Sequence, residues 1–346
     1  MKRVLMVILF LCVAVGCTGC QKNYSYTSQE NVNINYNNVS ADNSFFWLTE
    51  DTCYYASAPV YFNNYYAITS EGRQKITSAS SQSFAKILSY NNVLYMLDWQ
   101  DGSVYRLHSY DLQTQEHSVL DYLENVLTYF VVDHTLYYIR TDHTEETQSN
   151  SLWAYSLMDD VTVQVAPNIL RAGVMGSVPA YILREQDLYQ IYTYDPVCNQ
   201  STPIGEFRYE FSEDDFWNLG ANFTSDSLIL SVTYDDSRST IVCYDCNRNQ
   251  LTEHPVDGWV SSVIAYEDYA FMVVTDDDHD GDSDNDKNTI SRICLADGTT
   301  EKIAEELGML ATYVASDNCV YVYSYTEAGN LYRYDADGTK DLVCEW

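Results

Sequence analysis

Basic residues are scarce in this sequence. Only 18 lysines and arginines face 50 aspartates and glutamates, giving a formal net charge of −32 at pH 7. A surface of that sign repels a polyanionic phosphate backbone, which argues against nucleic acid and bare anionic membrane as partners. Catalytic signatures are lacking as well: there is no GxSxG elbow, no HExxH pair, no phosphate-binding loop and no GxGxxG. The six histidines, His108, His117, His134, His143, His254 and His279, are scattered, and no two stand at metal-ligand spacing. Carboxylate pairs able to hydrolyse a glycosidic bond stay open, because among 50 acids some pair meets by chance. A helical hydrophobic period is missing too, apart from one turn's worth around Ala304 to Leu307.

The apolar run from Val4 to Val15 falls short of the ~20 residues that cross a bilayer. It follows Lys2 and Arg3 and ends in Gly16-Cys17-Thr18-Gly19-Cys20, the pattern of an export signal over residues 1–20. Small residues directly before a cysteine resemble the lipobox of bacterial lipoproteins, which implies cleavage ahead of a cysteine that carries lipid. Cys17, behind Ala14-Val15-Gly16, is favoured, and Cys20 is the alternative. The expectation is an exported domain, anchored by lipid to the outer face of the bacterial cytoplasmic membrane, or to the outer membrane in a Gram-negative host. Loss of Lys2 and Arg3 with the signal takes the net charge to −34.

Of ten cysteines, Cys12, Cys17 and Cys20 belong to the signal region, leaving Cys53, Cys198, Cys243, Cys246, Cys294, Cys319 and Cys344. An oxidising compartment permits disulfides, but an odd number without tight spacing does not read as a disulfide framework, so these read mostly as small buried hydrophobes. Cys243 and Cys246 form one CxxC with no second pair, and residues three apart on a strand point to opposite faces. Residues 21–43, crowded with Asn, Ser and Tyr, read as a flexible tether.

From residue 44 to 346 the sequence repeats. A short alternating strand ends in an aromatic or cysteine and then turn residues at Tyr110-Asp111, Tyr155-Ser156, Tyr194-Asp195, Tyr244-Asp245, Cys294-Leu295 and Tyr334-Asp335, with a weaker copy at Tyr66-Ala67. The spacings are 44, 45, 39, 50, 50 and 40 residues. The second repeat shows four strands, Phe84 to Tyr90, Val93 to Leu97, Val104 to Tyr110 and His117 to Leu120. The seventh repeats the plan with Ala311 to Ala315, Cys319 to Tyr323, Leu331 to Tyr334 and Asp341 to Cys344. Four strands per ~45 residues match the blade of a β-propeller. The fold expected is all-β, a seven-bladed propeller of four antiparallel strands per blade, with six or eight blades open if the weak copy is misread. One alternating stretch of the tether, Val32 to Tyr36, offers an outer strand for the last blade. Most of the 32 tyrosines read as strand packing.

In plan and in its Tyr-Asp corner, this region resembles the uncharacterised propeller-domain lipoproteins of Gram-positive bacteria, in the style of TolB-like propellers. It carries neither the Gly-His and Trp-Asp marks of WD40 repeats nor the double glycines of kelch. The resemblance implies the fold and no established activity.

One local motif is specific. Asp276-Asp277-Asp278-His279-Asp280-Gly281-Asp282-Ser283-Asp284 fits DxDxDGxxD, in which alternate side chains converge on a hard cation and the glycine allows the sharp turn. Position twelve is Lys287 and the flanks read as strands, so a helical calcium sensor is excluded. The loop resembles the strand-to-strand calcium loops of integrin-type propeller blades. That resemblance implies side-chain ligands from Asp276, Asp278, Asp280 and Asp284, the carbonyl of Asp282, and a structural Ca²⁺.

In a propeller, the connections from second to third strand and from each blade to the next share one face. That face collects 98–103, 141–151, 234–239, 325–330, the calcium loop and the acidic aromatic segment 206–218. Its candidate contact residues are Trp99, Tyr209, Phe211, Phe216, Trp217, Tyr234 and Tyr325. Acidic aromatic loops suit a polysaccharide or a protein. The expectation is a monomeric, non-catalytic binding or scaffolding module. The competing readings are a carbohydrate-active hydrolase or lyase and an envelope-assembly scaffold.

Overall fold

Alternating side chains, interrupted by asparagine, aspartate or glycine, fold this chain into short antiparallel hairpins. The computed structural model describes residues 25–26, 46–56, 64–78, 86–100, 104–143, 148–210, 216–234, 238–276, 286–307, 310–314, 319–324 and 330–345, and all the regular structure among them is strand.

Strand β1 is Ser25–Tyr26. Blade 1 then takes β2 (Phe46–Leu48), β3 (Cys53–Ala56), β4 (Asn64–Thr69) and β5 (Gly72–Ser78). Blade 2 takes β6 (Lys86–Tyr90), β7 (Val93–Gln100), β8 (Val104–Asp111) and β9 (His117–Glu124). Blade 3 is β10 (Val126–Val132), β11 (Thr135–His143), β12 (Gln148–Ser156) and β13 (Thr162–Ala166). Blade 4 is β14 (Ile169–Met175), β15 (Val178–Glu185), β16 (Leu188–Asp195) and β17 (Gln200–Arg208). Blade 5 is β18 (Phe216–Phe223), β19 (Ser227–Tyr234), β20 (Arg238–Asp245) and β21 (Gln250–Asp257). Blade 6 is β22 (Trp259–Tyr266), β23 (Tyr269–Asp276), β24 (Lys287–Cys294) and β25 (Thr300–Leu307). Blade 7 is β26 (Leu310–Val314), β27 (Val320–Ser324), β28 (Asn330–Tyr334) and β29 (Lys340–Glu345).

In every blade, strands adjacent in sequence are adjacent in space. First strands of successive blades touch, β2 on β6, β6 on β10, β14 on β18, β18 on β22 and β22 on β26, which puts them innermost. The fold is a seven-bladed β-propeller, the architecture that lets sheets unable to cover their own faces bury them on neighbours. Side chains cross those junctions. Tyr129 Oη in blade 3 donates to the Tyr95 carbonyl in blade 2 at 2.7 Å, and the Asn222 carboxamide of blade 5 accepts from Ala265 N of blade 6 at 3.2 Å.

The six strong corners all end third strands. In blades 3, 4 and 5 the corner phenol donates to a side chain five residues on: Tyr155 to Asp160 at 2.6 Å, Tyr194 to Asn199 at 2.8 Å and Tyr244 to Asn249 at 2.6 Å. Those acceptors sit at φ of 57°, 49° and 53°, left-handed backbone that Asn and Asp tolerate. The weak corner behaves differently, because Tyr66-Ala67 lies inside β4 and the turn is Ser70-Glu71. The stretch around Ala304 to Leu307, read as a helical turn, is the end of β25 and pairs with β24.

The N-terminal segment contributes to closure. β1 adds a fifth strand to blade 7, pairing Ser25 with Glu345 and Tyr26 with Cys344, and it also lies against β4 and β5 of blade 1. An outer strand on the last blade was expected from 32–36; those residues lie outside the described ones, and the paired residues stand earlier in the same segment.

Candidate functional site on the loop-bearing face

Strand bounds make the two faces of the ring unlike. Connections from first to second and from third to fourth strand span two to five residues, for example Asn91-Asn92, Asp133-His134 and Glu267-Asp268. From β2 onward, the four longest connections, 57–63, 79–85, 209–215 and 277–286, all belong to the opposite face. The strands take more of the sequence than expected there. β11 and β12 leave only 144–147 of the connection expected over 141–151, and β17 and β18 leave 209–215 of the segment expected over 206–218. Phe207 is accordingly core, stacked between Tyr189 and Tyr244 with ring centroids 5.0 and 4.7 Å away.

At the end of blade 5 two of the candidate contact residues, Tyr209 and Tyr234, come together. Arg208 opens the connection with a two-pronged contact to the Asp187 carboxylate at 2.6 and 2.8 Å, and Tyr209 N donates to the Asp187 carbonyl at 2.9 Å. The Arg208 guanidinium holds the Asp187 carboxyl below its ordinary value. So anchored, Tyr209 reaches across to blade 5, where its hydroxyl donates to Glu253 Oε2 at 3.2 Å and meets Tyr234. Burial, then Tyr234 and Glu253, push the Tyr209 phenol up, so it remains a donor. Phe216 is the ladder partner of Tyr234, and Trp217 occupies the bulge between Phe216 and Asn218.

Glu253 escaped the sequence reading. It stands on an outer strand whose alternation marks it only as exposed, and its partner is 44 residues away. Trp99 stands apart, near the end of β7 in blade 2 and opposite Tyr105. Phe211 and Tyr325 lie outside the described residues. A cleft of about 300 Å³ between blades 4 and 5 is lined by Gln190, Tyr192, Pro203, Glu206, Tyr244 and Asn249, the last in the turn from β20 to β21 on the short-turn face.

The acidic hairpin of blade 6 is flanked by strands, β23 and β24, whose ladder continues to the pair Asp276 and Lys287. The connection 277–286 therefore leaves and returns at adjacent backbone positions. Thr275 Oγ1 donates to Asn288 Oδ1 at 2.7 Å just below it, and the Lys287 ammonium is held by Glu305 at 2.8 Å. Asp276 is exposed at the hairpin's start, while Asp278, Asp280, Asp282 and Asp284 lie outside the described residues. Among the described residues no three His, Cys, Asp or Glu side chains gather as metal ligands.

The CxxC pair is unsuited to thiolate chemistry. Burial pushes the Cys243 thiol up to about 11 and the Cys246 thiol up to about 12, so both stay protonated near neutrality.

No family model matches the sequence, and no curated protein matches it. Solved structures share the fold. The β-propeller domain of the Trilobed protease from Pyrococcus furiosus, described as having an open velcro topology, is 11% identical at a TM-score of 0.55, over 86% of this chain and 95% of that one. The acylaminoacyl peptidase of Pyrococcus horikoshii is 12% identical at a TM-score of 0.54, and 90% of this chain covers 54% of that enzyme, so the chain spans about half its length. An oligogalacturonate lyase in complex with manganese is 10% identical at a TM-score of 0.54, over 90% and 96% of the two chains.

Proposed function

We propose that this chain is an exported, lipid-anchored, monomeric propeller that binds a polysaccharide or protein ligand on its loop-bearing face, without catalysing a reaction. The supporting observation is the meeting of Tyr209 and Tyr234 beside the Glu253 carboxylate at the loop-bearing end of blade 5. The connections of the opposite face span only two to five residues. Aromatic planes with phenol donors and one acceptor suit a ligand with alternating apolar faces and hydroxyls, as a sugar has. The anchor at Cys17, or Cys20, would hold the ring at a membrane surface.

The test uses a soluble form beginning at residue 21, which keeps β1, screened against glycans and cell-envelope extracts. The Tyr209→Ala/Tyr234→Ala variant is expected to lose at least ~10-fold in affinity, the cost of about 1.4 kcal/mol of contact. Equal affinity in a folded double variant would move the ligand elsewhere. Release of shortened glycan products by the wild type would favour the competing reading, a carbohydrate-active enzyme.

The same proposal gives the hairpin of blade 6 a structural Ca²⁺, held by the side chains of Asp276, Asp278, Asp280 and Asp284 and the carbonyl of Asp282. The donor set is all oxygen, and Lys287 is already engaged by Glu305 and does not neutralise the loop. Seven aspartates within eleven residues repel one another, and the cation would relieve that repulsion. With a Kd in the extracellular range of roughly 10⁻⁴ to 10⁻³ M, 10 mM calcium adds about 1.4 to 2.7 kcal/mol, a few degrees in melting temperature. Asp278→Ala abolishes that increment. A wild type whose melting is the same in calcium and in chelator has no such site.

A further inference from the structure

Blade 7 is built from the C-terminal end of the chain and blade 1 from its beginning, so no strand is exchanged within the four-stranded core of either. The seam between them is closed by β1 and by one hydrophobic cluster. That cluster joins Phe46, Trp47 and Tyr55 of blade 1 to Tyr321, Tyr323 and Val343 of blade 7. Two cysteines stand in the same cluster. Cys53 begins β3 in blade 1, Cys344 lies in β29 of blade 7, and they are 0% and 1% exposed. Although 291 positions apart in sequence, both free thiols are buried in this one cluster, with Cys344 near enough to Cys53 to act on its thiol across the seam. Cys344 is also the ladder partner of Tyr26, so β1 pairs with β29 at this point. Cys319, buried in the same blade, contacts Arg333 instead.

The geometry points to a disulfide between Cys53 and Cys344 that clamps the first blade to the last and locks the ring. The bond forms by exchange. One thiol, as its thiolate, attacks an external disulfide and expels one thiol from it, and the second cysteine then displaces the other half. Two protein thiols and one R–S–S–R thus become one protein disulfide and two R–SH. The oxidant is a disulfide of an exchange catalyst in an oxidising compartment, or oxidised glutathione in vitro. Burial and the neighbouring thiol hold the Cys53 thiol well above its ordinary value, which makes the thiolate scarce in the closed ring. Oxidation therefore belongs to folding or to a transient opening of the seam. Once made, the bond is shielded from reductant. A crosslink between residues this far apart restricts nearly the whole unfolded chain.

The test does not depend on finding a ligand or on a bound cation. The soluble form beginning at residue 21 carries seven cysteines. It is refolded with oxidised and reduced glutathione, denatured, alkylated and weighed, then digested without reduction. Five alkylated cysteines and a peptide joining Cys53 to Cys344 are expected, with a melting temperature several degrees above that of the reduced protein. The Cys53→Ala/Cys344→Ala variant should fold and melt at one temperature with or without oxidant. Seven alkylated cysteines, Cys53 or Cys344 capped by glutathione, or a bridge using other cysteines would overturn the assignment. So would an oxidant-dependent melting shift that survives in the double variant.

Discussion

At position 244 a single phenol joins two blades. Tyr244 Oη donates to Asn249 Oδ1 at 2.6 Å within blade 5 and accepts from Glu206 N of blade 4 at 3.3 Å. Tyr244→Phe leaves a backbone N–H and an amide oxygen to find other partners, and should cost about 0.5 to 1.5 kcal/mol in urea unfolding. Gly205 lies under the same ring, where a Cβ would stand 2.6 Å from Tyr244 Cε1. Gly205→Ala should therefore destabilise by about 1 to 3 kcal/mol through overpacking, with the Tyr244 ring displaced. His254 gives a pH dependence. It packs against Gly298, and its Nε2 is buried without a partner among the described residues. Burial lowers its pKa below 6.5, opposed by Asp297. Above pH 6.5 both folded and unfolded forms are neutral there and His254 adds no slope. As pH falls through 6.5 the unfolded chain takes the proton first, so stability declines. In His254→Gln the fall in urea midpoint between pH 7 and 5 should be shallower; a variant with the wild-type slope would remove His254 as a source.

The hairpin is the element on which this fold depends, and its turns are where strand order is enforced. Asn91 and Asn92 hold φ of 48° and 62°, and Asp133 and His134 hold 44° and 63°. Positive φ at both central positions gives the turn whose twist matches the paired strands. Asn92→Gly should be neutral or stabilising, whereas Asn92→Val, β-branched in left-handed backbone, should cost about 1 to 2 kcal/mol. Chemical unfolding of the pair tests this, and equal stabilities would mean that the turn relaxes. Third-to-fourth-strand corners work through carboxylates instead. Asp111 Oδ1 accepts from Gln113 N at 2.7 Å and Thr114 N at 2.8 Å, and these backbone donors hold its carboxyl below the ordinary value. Asp195 does the same with Val197 N and Cys198 N. Their contribution is present above pH ~4 and is lost as pH falls through the lowered folded pKa. In β25, glutamate, alanine and leucine favour a helix locally, yet the strand forms, because β24 supplies a ladder and Ile303 reaches the core.

At the scale of the ring, closure decides stability. Because β1 touches both blade 7 and blade 1, removal of residues 1–43 should lower the melting temperature and speed proteolysis relative to a chain starting at 21. Identical melting of the two forms would make β1 an ornament of the outer edge. The ring also decides which aromatics can meet. Tyr209 and Tyr234 belong to different blades in sequence, and only the step from blade 4 to blade 5 brings the first onto the second.

The sequence by itself determined the strand period, the four strands per repeat and the strand-flanked acidic hairpin, and it favoured seven blades while leaving six or eight open. These are local: alternation, turn residues and a recurring tyrosine are all within one repeat. It misplaced the first corner, since between Thr69 and Gly72 a two-residue turn replaces the four- or five-residue turn that follows a tyrosine or cysteine at the others. The tertiary structure alone decided the rest. Phe207 became core and Tyr209 half-buried at the blade's end because β17 runs to Arg208 before the chain leaves the blade. Glu253 joined the site through a contact 44 residues long, and Cys53 met Cys344 because the ends of the chain meet where the ring closes. Pairings of that kind depend on how many blades fit around the axis, a property of packing between repeats that no single repeat encodes.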